Sequence, residues 1–183
     1  EESANSIVLV QKDKGISEEN YYVKRHLVPF GEFVPMRSLF EILFPPLADI
    51  GVISDHIIEG DSAEVIVGNN YSAGALICFD SIFEKLSYET VREGAQFLSL
   101  STNDSWFSDS GAVYQHNRHA VLRAVENGRY ILRAANTGIS SVIDPYGKIV
   151  SQILPFETGY LTEEISLNSS MTLYSVTGNV FVL

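Results

Sequence analysis

The single cysteine of the chain, Cys78, is the residue best suited to covalent chemistry. It closes the apolar run 75–78 and is followed by Phe79 and Asp80. A buried, inert thiol is the ordinary interpretation of a cysteine in apolar surroundings. Its position favours another one, because a cysteine between a strand and a helix lies in a tight turn that exposes its sulfur near a helix N-terminus, which stabilises a thiolate. Cys78 is therefore a candidate nucleophile.

A cysteine nucleophile also requires a base and a group that stabilises the oxyanion. Lys24 and Glu32 lie upstream in residues 21–35, a string that no secondary-structure pattern explains. A Pro-Gly turn between the two residues would allow their side chains to meet. From spacing alone, a surface salt bridge that contributes little to stability is the plainer interpretation.

Two histidines and two aromatic residues are further candidates. His116 and His119 stand at i, i+3 spacing, but two histidines without a third ligand more often line a helix face, so no metal site is predicted. Trp106 and Phe107 fit equally well in a core or in the wall of a pocket that faces an acyl group.

Short strands and helices must position these residues. Apolar runs of strand length predict buried strands, and they occupy residues 7–10, 65–67, 75–78 and 97–100. Ser81 and Glu84 form a capping-box pattern that predicts a helix ending near Gly94. A second helix is predicted over residues 112–127. Strands over 130–135, 139–143 and 148–154 follow, the last two joined by a turn at 144–147.

The alternation of strands and helices, followed by hairpins, predicts an α/β (α+β) fold with a mixed sheet covered by helices. Residues 1–183 suit one domain, incomplete at its N-terminal side. The net charge of −11 makes nucleic acid an unsuitable partner. Residues 36–53 are irregular and apolar, and they fit either the core or a loop that meets lipid.

Several motifs in one order carry a family resemblance. They occupy residues 21–35, 77–80, 103–107, 115–116, 123–129, 136–139 and 144–147. In these motifs the chain resembles the apolipoprotein N-acyltransferases of the carbon-nitrogen hydrolase (nitrilase) superfamily. The resemblance implies an α-β-β-α sandwich and a Glu-Lys-Cys catalytic set. Lys24 and Cys78 match two of its members, Glu32 matches a second glutamate that assists the lysine and the amine, and the N–H of Phe79 matches an oxyanion donor.

The resemblance also implies the reaction and its setting. A fatty acyl group passes from a phospholipid to the cysteine as a thioester, and then to the N-terminal amine of a diacylated apolipoprotein. No cofactor or metal is needed. The expected location is the bacterial inner membrane, with the domain facing the periplasm and attached through flanking membrane helices outside the chain and through the 36–53 loop. Asp80 and Trp106, with Phe79, are the expected oxyanion and substrate-binding residues.

The chain departs from the family at two places. The general-base glutamate of the family lies upstream of the lysine segment and has no counterpart here, so the chain alone is expected to be inactive. Phe79 and Asp80 stand where the acyltransferases usually carry Tyr and Glu. Two alternatives remain open at this stage, namely a soluble amidase or nitrilase that uses water as acceptor, and a catalytically incomplete relic.

Overall fold

The computed structural model describes residues 2–36 and 56–180. The strands of these residues are β1 (Glu2–Ser3), β2 (Ser6–Gln11), β3 (Gly15–Val23), β4 (His56–Ile57), β5 (Val65–Val67), β6 (Ser72–Ile77), β7 (Phe97–Asn103), β8 (Ile131–Asn136), β9 (Ser140–Ile143) and β10 (Ile149–Ile153). The helices are α1 (Glu84–Arg92), α2 (Ala112–Asn127) and α3 (Leu173–Thr177). Short 3₁₀ segments occupy Cys78–Ile82 and Ser105–Phe107.

A six-stranded mixed sheet is the centre of the fold, in the order β10-β9-β8-β7-β6-β5. Strands β6, β7 and β8 are parallel, whereas β5, β9 and β10 run antiparallel to their neighbours. The carboxyl ends of the three parallel strands therefore meet at one edge, where α/β proteins commonly place their sites. Cys78 follows β6 at this edge, and Asp104 follows β7.

Apolar residues cover both faces of the central sheet. One cluster joins the sheet to α1 and α2 and includes the buried Leu76, Leu98 and Ala120. A second cluster contains Tyr22 and Ala75 and packs the β2–β3 hairpin against the other face. Helices, sheet and hairpin thus form successive layers. The α/β class with a mixed sheet, predicted from the sequence, is confirmed.

The predicted capping box at Ser81 and Glu84 is wrong. Helix α1 begins at Glu84 with Phe83 as its N-cap, and Ser81 lies inside the preceding 3₁₀ segment. The hydroxyl of Ser81 donates to the carbonyl of Cys78 at 2.8 Å instead of capping the helix. The tight turn after β6 already binds this hydroxyl, so α1 starts two residues later than the pattern predicts.

The other predicted elements agree with the structure to within one or two residues at most of their ends. Helix α2 spans Ala112–Asn127 as predicted, and Gly128 ends it with a φ of 61°. This left-handed conformation suits glycine, which has no Cβ. Strand β3 was not predicted, because its polar centre, from Ser17 to Asn20, hides the alternation of a strand.

No helix in residues 2–36 and 56–180 is both long and apolar enough to cross a membrane. Apart from the exposed Met36, nearly all of the apolar stretch 36–53, predicted to be core or a lipid-facing loop, lies outside the described residues.

Candidate active site

Cys78 occupies a strained turn directly after the buried strand β6. Its φ is 49°, a left-handed value that costs a residue with a Cβ roughly 1–2 kcal/mol. Such strain persists only where the surroundings impose it, and it is concentrated at functional sites. The side chain of Cys78 is partly exposed, although β6 behind it is almost wholly buried. The turn therefore brings the sulfur from the core to the surface of a cavity.

The carboxylate of Asp80 holds this turn from behind. One of its oxygens accepts hydrogen bonds from the N–H of Ile77 and the hydroxyl of Tyr22, and the other accepts from the N–H of His26. Burial raises the pKa of Asp80, and these three hydrogen bonds oppose that shift. Because its donors come from the end of β6, from β3 and from the segment after β3, Asp80 joins the turn at Cys78 to the segment that contains Lys24. Asp80 itself is fully buried.

The buried Lys24 forms an ion pair with the partly buried Glu32. The ammonium of Lys24, which is 1% exposed, lies 2.6 Å from Oε2 of Glu32. Glu32 also accepts from the N–H of Val28 at 2.7 Å and from the side-chain amide of Asn5 at 2.6 Å. Hydrogen bonds thus engage both oxygens of Glu32. This geometry suits a carboxylate that holds the lysine, and it differs from the surface salt bridge that spacing alone favours.

One cavity of about 810 Å³ brings most of the expected site residues together. Its lining contains Cys78, Lys24, Glu32, Phe79 and Trp106. Asp80 is absent from that lining and lies behind it. Most of the lining surface is apolar, and the volume is typical of a small-molecule site. The ring of Phe79 packs edge-on against Phe83 at 5.1 Å, whereas Trp106 is 70% exposed at the cavity wall.

A buried polar cluster lies beneath Cys78, and sequence reasoning missed it. Nε2 of His116 is 3.2 Å from the carbonyl oxygen of Cys78 and 3.1 Å from the hydroxyl of Ser81. Nδ1 of His116 faces Oδ1 of Asp104 at 2.8 Å, and the guanidinium of Arg133 binds Oδ2 of Asp104 at 2.8 Å. His116 thus has a buried partner set rather than an exposed helix face, while His119 is half-buried.

The charge of Asp104 makes the stability of the protein depend on pH in the acid range. Burial would raise the pKa of Asp104, but the hydrogen bond from His116 and the charge of Arg133 hold it below the ordinary value. A carboxyl whose pKa is lower in the folded state contributes stability above its unfolded pKa and loses it as pH falls through the folded pKa. The contribution of Asp104 is therefore complete above about pH 4.

Replacement of Asp104 by asparagine is expected to lower the free energy of unfolding at pH 7 by roughly 3 kcal/mol, because Arg133 then loses its buried counter-charge. The difference from wild type should begin to shrink below about pH 4, where the aspartate of the unfolded chain becomes protonated, and shrink further as pH falls through the lower pKa of the folded state. Urea unfolding at pH 7, 5 and 3 measures this. A difference that stays constant over the three pH values would contradict the assigned role of the charge.

Gly138 is pressed against the same aspartate. A Cβ at this position would lie 2.1 Å from Oδ2 of Asp104, and that side chain is fixed by Thr102, His116 and Arg133. We expect Gly138→Ala to destabilise the protein by about 1–3 kcal/mol, as overpacking in a rigid interior does. Thermal unfolding measures the change. Gly111→Ala is the matched control, since a Cβ there would meet nothing within 4 Å, and an equal effect of both changes would refute the explanation.

Comparison with known proteins identifies the family. The carbon-nitrogen hydrolase family model matches residues 2–173. The chain belongs to this family. Among solved structures, the carbon-nitrogen hydrolase of Helicobacter pylori G27 has the same fold, with a TM-score of 0.64 at 17% identity over 85% of this chain and 54% of that one. The expected nitrilase-like α/β fold is thereby confirmed.

Curated relatives narrow the resemblance within the carbon-nitrogen hydrolases. The chain is 41% identical over 158 residues to the apolipoprotein N-acyltransferase of Geobacter metallireducens, which is 86% of this chain and 30% of the relative. It is 39% identical over 162 residues to that of Methylococcus capsulatus, covering 86% of this chain and 31% of the relative. The resemblance to apolipoprotein N-acyltransferases is thus confirmed. The chain spans about a third of the length of these relatives.

No metal or cofactor site is proposed for this carbon-nitrogen hydrolase. Within the described residues, no group of three or more His, Cys, Asp or Glu side chains is arranged to hold a metal ion. The polar groups that line the cavity include the thiol of Cys78, the ammonium of Lys24 and the carboxylate of Glu32.

Proposed function

We propose that this carbon-nitrogen hydrolase is the cysteine-bearing part of an acyltransferase. It moves a fatty acyl group from a phospholipid, through a thioester on Cys78, to the N-terminal amine of an apolipoprotein. The observation that carries the proposal is that one largely apolar cavity contains both Cys78 and the Lys24–Glu32 ion pair. The names of the curated relatives supply the reaction class.

In the first half-reaction the thiolate of Cys78 attacks the ester carbonyl of the phospholipid. A carbon–sulfur bond forms, and the carbonyl oxygen becomes an oxyanion, which the ammonium of Lys24 and the N–H of Phe79 stabilise. The base that takes the proton of the Cys78 thiol returns it to the leaving oxygen when this intermediate collapses, so the ester bond breaks and the lysophospholipid leaves as an alcohol. The acyl group remains on Cys78 as a thioester.

In the second half-reaction the free amine of a diacylated apolipoprotein attacks that thioester. A carbon–nitrogen bond forms, the carbon–sulfur bond breaks, and the nitrogen loses a proton to a base. Three donors engage the carboxylate of Glu32, and three engage that of Asp80. The proposal therefore assigns the proton acceptor to a carboxylate outside the described residues, as the family resemblance implies.

The cavity surroundings fit a lipid donor. Large hydrophobic side chains are exposed around the cavity, with Phe30 62% exposed and Trp106 70% exposed, and both belong to its lining. Exposed aromatic groups next to a pocket suit an acyl chain that leaves a bilayer. We propose that the full-length protein resides in the bacterial inner membrane with this domain facing the periplasm, held by helices outside the described residues and by the apolar residues 36–53.

The test is acyl transfer by the full open reading frame that encodes the chain. The purified protein is mixed with phospholipid and a synthetic diacylated lipopeptide, and mass spectrometry follows the triacylated product and the acyl adduct on the Cys78 peptide. The proposal expects both species. Release of free fatty acid without triacylated product would indicate water as the acceptor and favour a hydrolase of the amidase or nitrilase type. Absence of any adduct would favour a catalytically incomplete protein.

A further inference from the structure

The buried cluster of His116, Asp104 and Arg133 has no part in the acyl transfer steps, yet it contacts the nucleophile turn directly. We propose that His116 is a positioning residue that fixes the peptide group between Cys78 and Phe79, and so aims the N–H of Phe79 at the oxyanion. This inference rests on the proposed function, because it assigns a role within the acylation of Cys78.

The first argument for this proposal is the geometry of the peptide group between Cys78 and Phe79. A trans peptide is planar, and its C=O and N–H point in opposite directions. The carbonyl of Cys78 receives the hydroxyl of Ser81 at 2.8 Å and faces Nε2 of His116 at 3.2 Å. The N–H of Phe79 belongs to the same plane and therefore points away from His116. Phe79 is also second in its 3₁₀ segment, where an N–H has no acceptor within the helix.

The second argument is that buried hydrogen bonds hold the imidazole of His116 in place. The imidazole is 3% exposed, and its Nδ1 is held by Asp104. Asp104 is in turn fixed by the hydroxyl of Thr102 and by Arg133, whose guanidinium also donates to the carbonyl of Ile139 at 2.8 Å. The cluster joins α2 to the end of β7 and to the middle of β8. A shift of the imidazole would thus disturb several buried hydrogen bonds at once.

A proton-transfer role for His116 is less consistent with the geometry. Within the described residues, Nε2 of His116 lies within hydrogen-bond distance of the carbonyl of Cys78 and of Ser81, Nδ1 lies within that distance of Asp104 and of Arg133, and none of these contacts reaches Sγ. The imidazole thus contacts the backbone of the nucleophile turn. It lies where it can orient the oxyanion donor, whose misplacement by about 1 Å can cost roughly 100-fold in rate.

Two amide variants of His116 separate positioning from general structural support. In His116→Gln the longer side chain places an amide N–H where Nε2 stood, whereas in His116→Asn the shorter side chain reaches Asp104 but not the carbonyl of Cys78. The full-length protein is acylated by p-nitrophenyl butyrate under single-turnover conditions. We expect the Asn variant to be acylated about 10- to 100-fold more slowly at saturating ester and the Gln variant to stay within about threefold of wild type.

Alkylation of Cys78 by iodoacetamide distinguishes a positioning role of His116 from a merely structural one. Alkylation forms no oxyanion, so both variants should be alkylated at the wild-type rate. Equal losses of alkylation and acylation would overturn the positioning role and make His116 a base for the thiol or a structural support. Equal acylation rates in the Asn and Gln variants would overturn it as well.

Two controls complete the test. Ser81→Ala removes the other donor to the carbonyl of Cys78 and is expected to slow acylation severalfold with alkylation unchanged, which keeps the proposal falsifiable if a His116 variant does not fold. His119→Asn changes a half-buried histidine of the same helix and should leave both rates unchanged. If the activated ester acylates the wild-type protein but phospholipid does not, the proposed function is contradicted. The test of the positioning role remains valid in that case.

Discussion

Replacing Cys78 by serine in the full-length protein should abolish acyl transfer, with a loss of roughly 1000-fold or more, as removal of a covalent nucleophile does in other enzymes. The serine hydroxyl is far less acidic than a thiol, and a site that pairs the nucleophile with an ammonium rather than an adjacent base cannot activate it. Mass spectrometry of the Cys78 peptide after incubation with phospholipid measures the effect. The wild type should carry an acyl adduct, and the serine variant should carry none.

The matched control for this variant is structural. Serine is close to cysteine in size, and the backbone φ of 49° is equally strained for both residues, so Cys78→Ser should unfold at nearly the wild-type temperature. Cys78→Ala tests the same point without a hydroxyl. Turnover by the alanine variant would reject Cys78 as the nucleophile, whatever the stability of the protein.

The position of Cys78 was readable from the sequence because it depends on local order. An apolar run predicts a buried strand, and the polar residues after it require a turn. The error at Ser81 has the opposite origin. A serine followed by glutamate three residues later matches a capping box, but the carbonyl of Cys78 is a closer acceptor for the serine hydroxyl. Such competition between local hydrogen bonds is decided by turn geometry, which the sequence does not state.

The Lys24–Glu32 pair was predictable only in part. The Pro-Gly turn correctly suggested that the two side chains could meet, and the structure places Oε2 2.6 Å from the ammonium. Its burial could not be predicted, because it arises from the packing of β3 against the central sheet. Strand β3 itself was hidden by polar residues. A motif can therefore be located correctly although the element that leads into it is missed.

The cluster beneath Cys78 could not have been assembled from spacing at all. Asp104, His116 and Arg133 lie on different elements, and their meeting depends on the parallel pairing of β7 with β8. One signal was present in the sequence. Arg133 is a charged residue in an otherwise apolar strand, and a buried charge requires a partner. Asp104, directly after the neighbouring strand, is that partner.

Asp80 follows the candidate nucleophile by two residues, and its role in the turn is visible only in the structure. The carboxylate receives hydrogen bonds from three groups, one of them the hydroxyl of Tyr22. Burial raises the pKa of Tyr22, and the nearby carboxylate adds to the shift, so the phenol remains a donor. The phenol of Tyr22 thus joins β3 to the segment that follows Cys78.

Replacement of Lys24 is the second change that is expected to have a large effect on acylation. Lys24→Met retains the length and apolar stem of the side chain but removes the cation, and we expect acylation of Cys78 to fall by roughly 100- to 1000-fold, the usual effect of losing one oxyanion donor. Single-turnover acylation by phospholipid measures the loss. Alkylation of Cys78 by iodoacetamide should change far less, because that reaction develops no charge on a carbonyl oxygen.

Stability must be separated from chemistry in this experiment, since Lys24→Met leaves the charge of Glu32 buried without its counter-ion. Breaking a buried pair costs about 3–5 kcal/mol, whereas replacing both members with neutral groups is often nearly neutral. The double variant Lys24→Met/Glu32→Gln should therefore recover much of the thermal stability while its acylation stays as slow as that of Lys24→Met. If acylation returned together with stability, the ammonium would be a structural element of the cavity wall and not the group that stabilises the oxyanion.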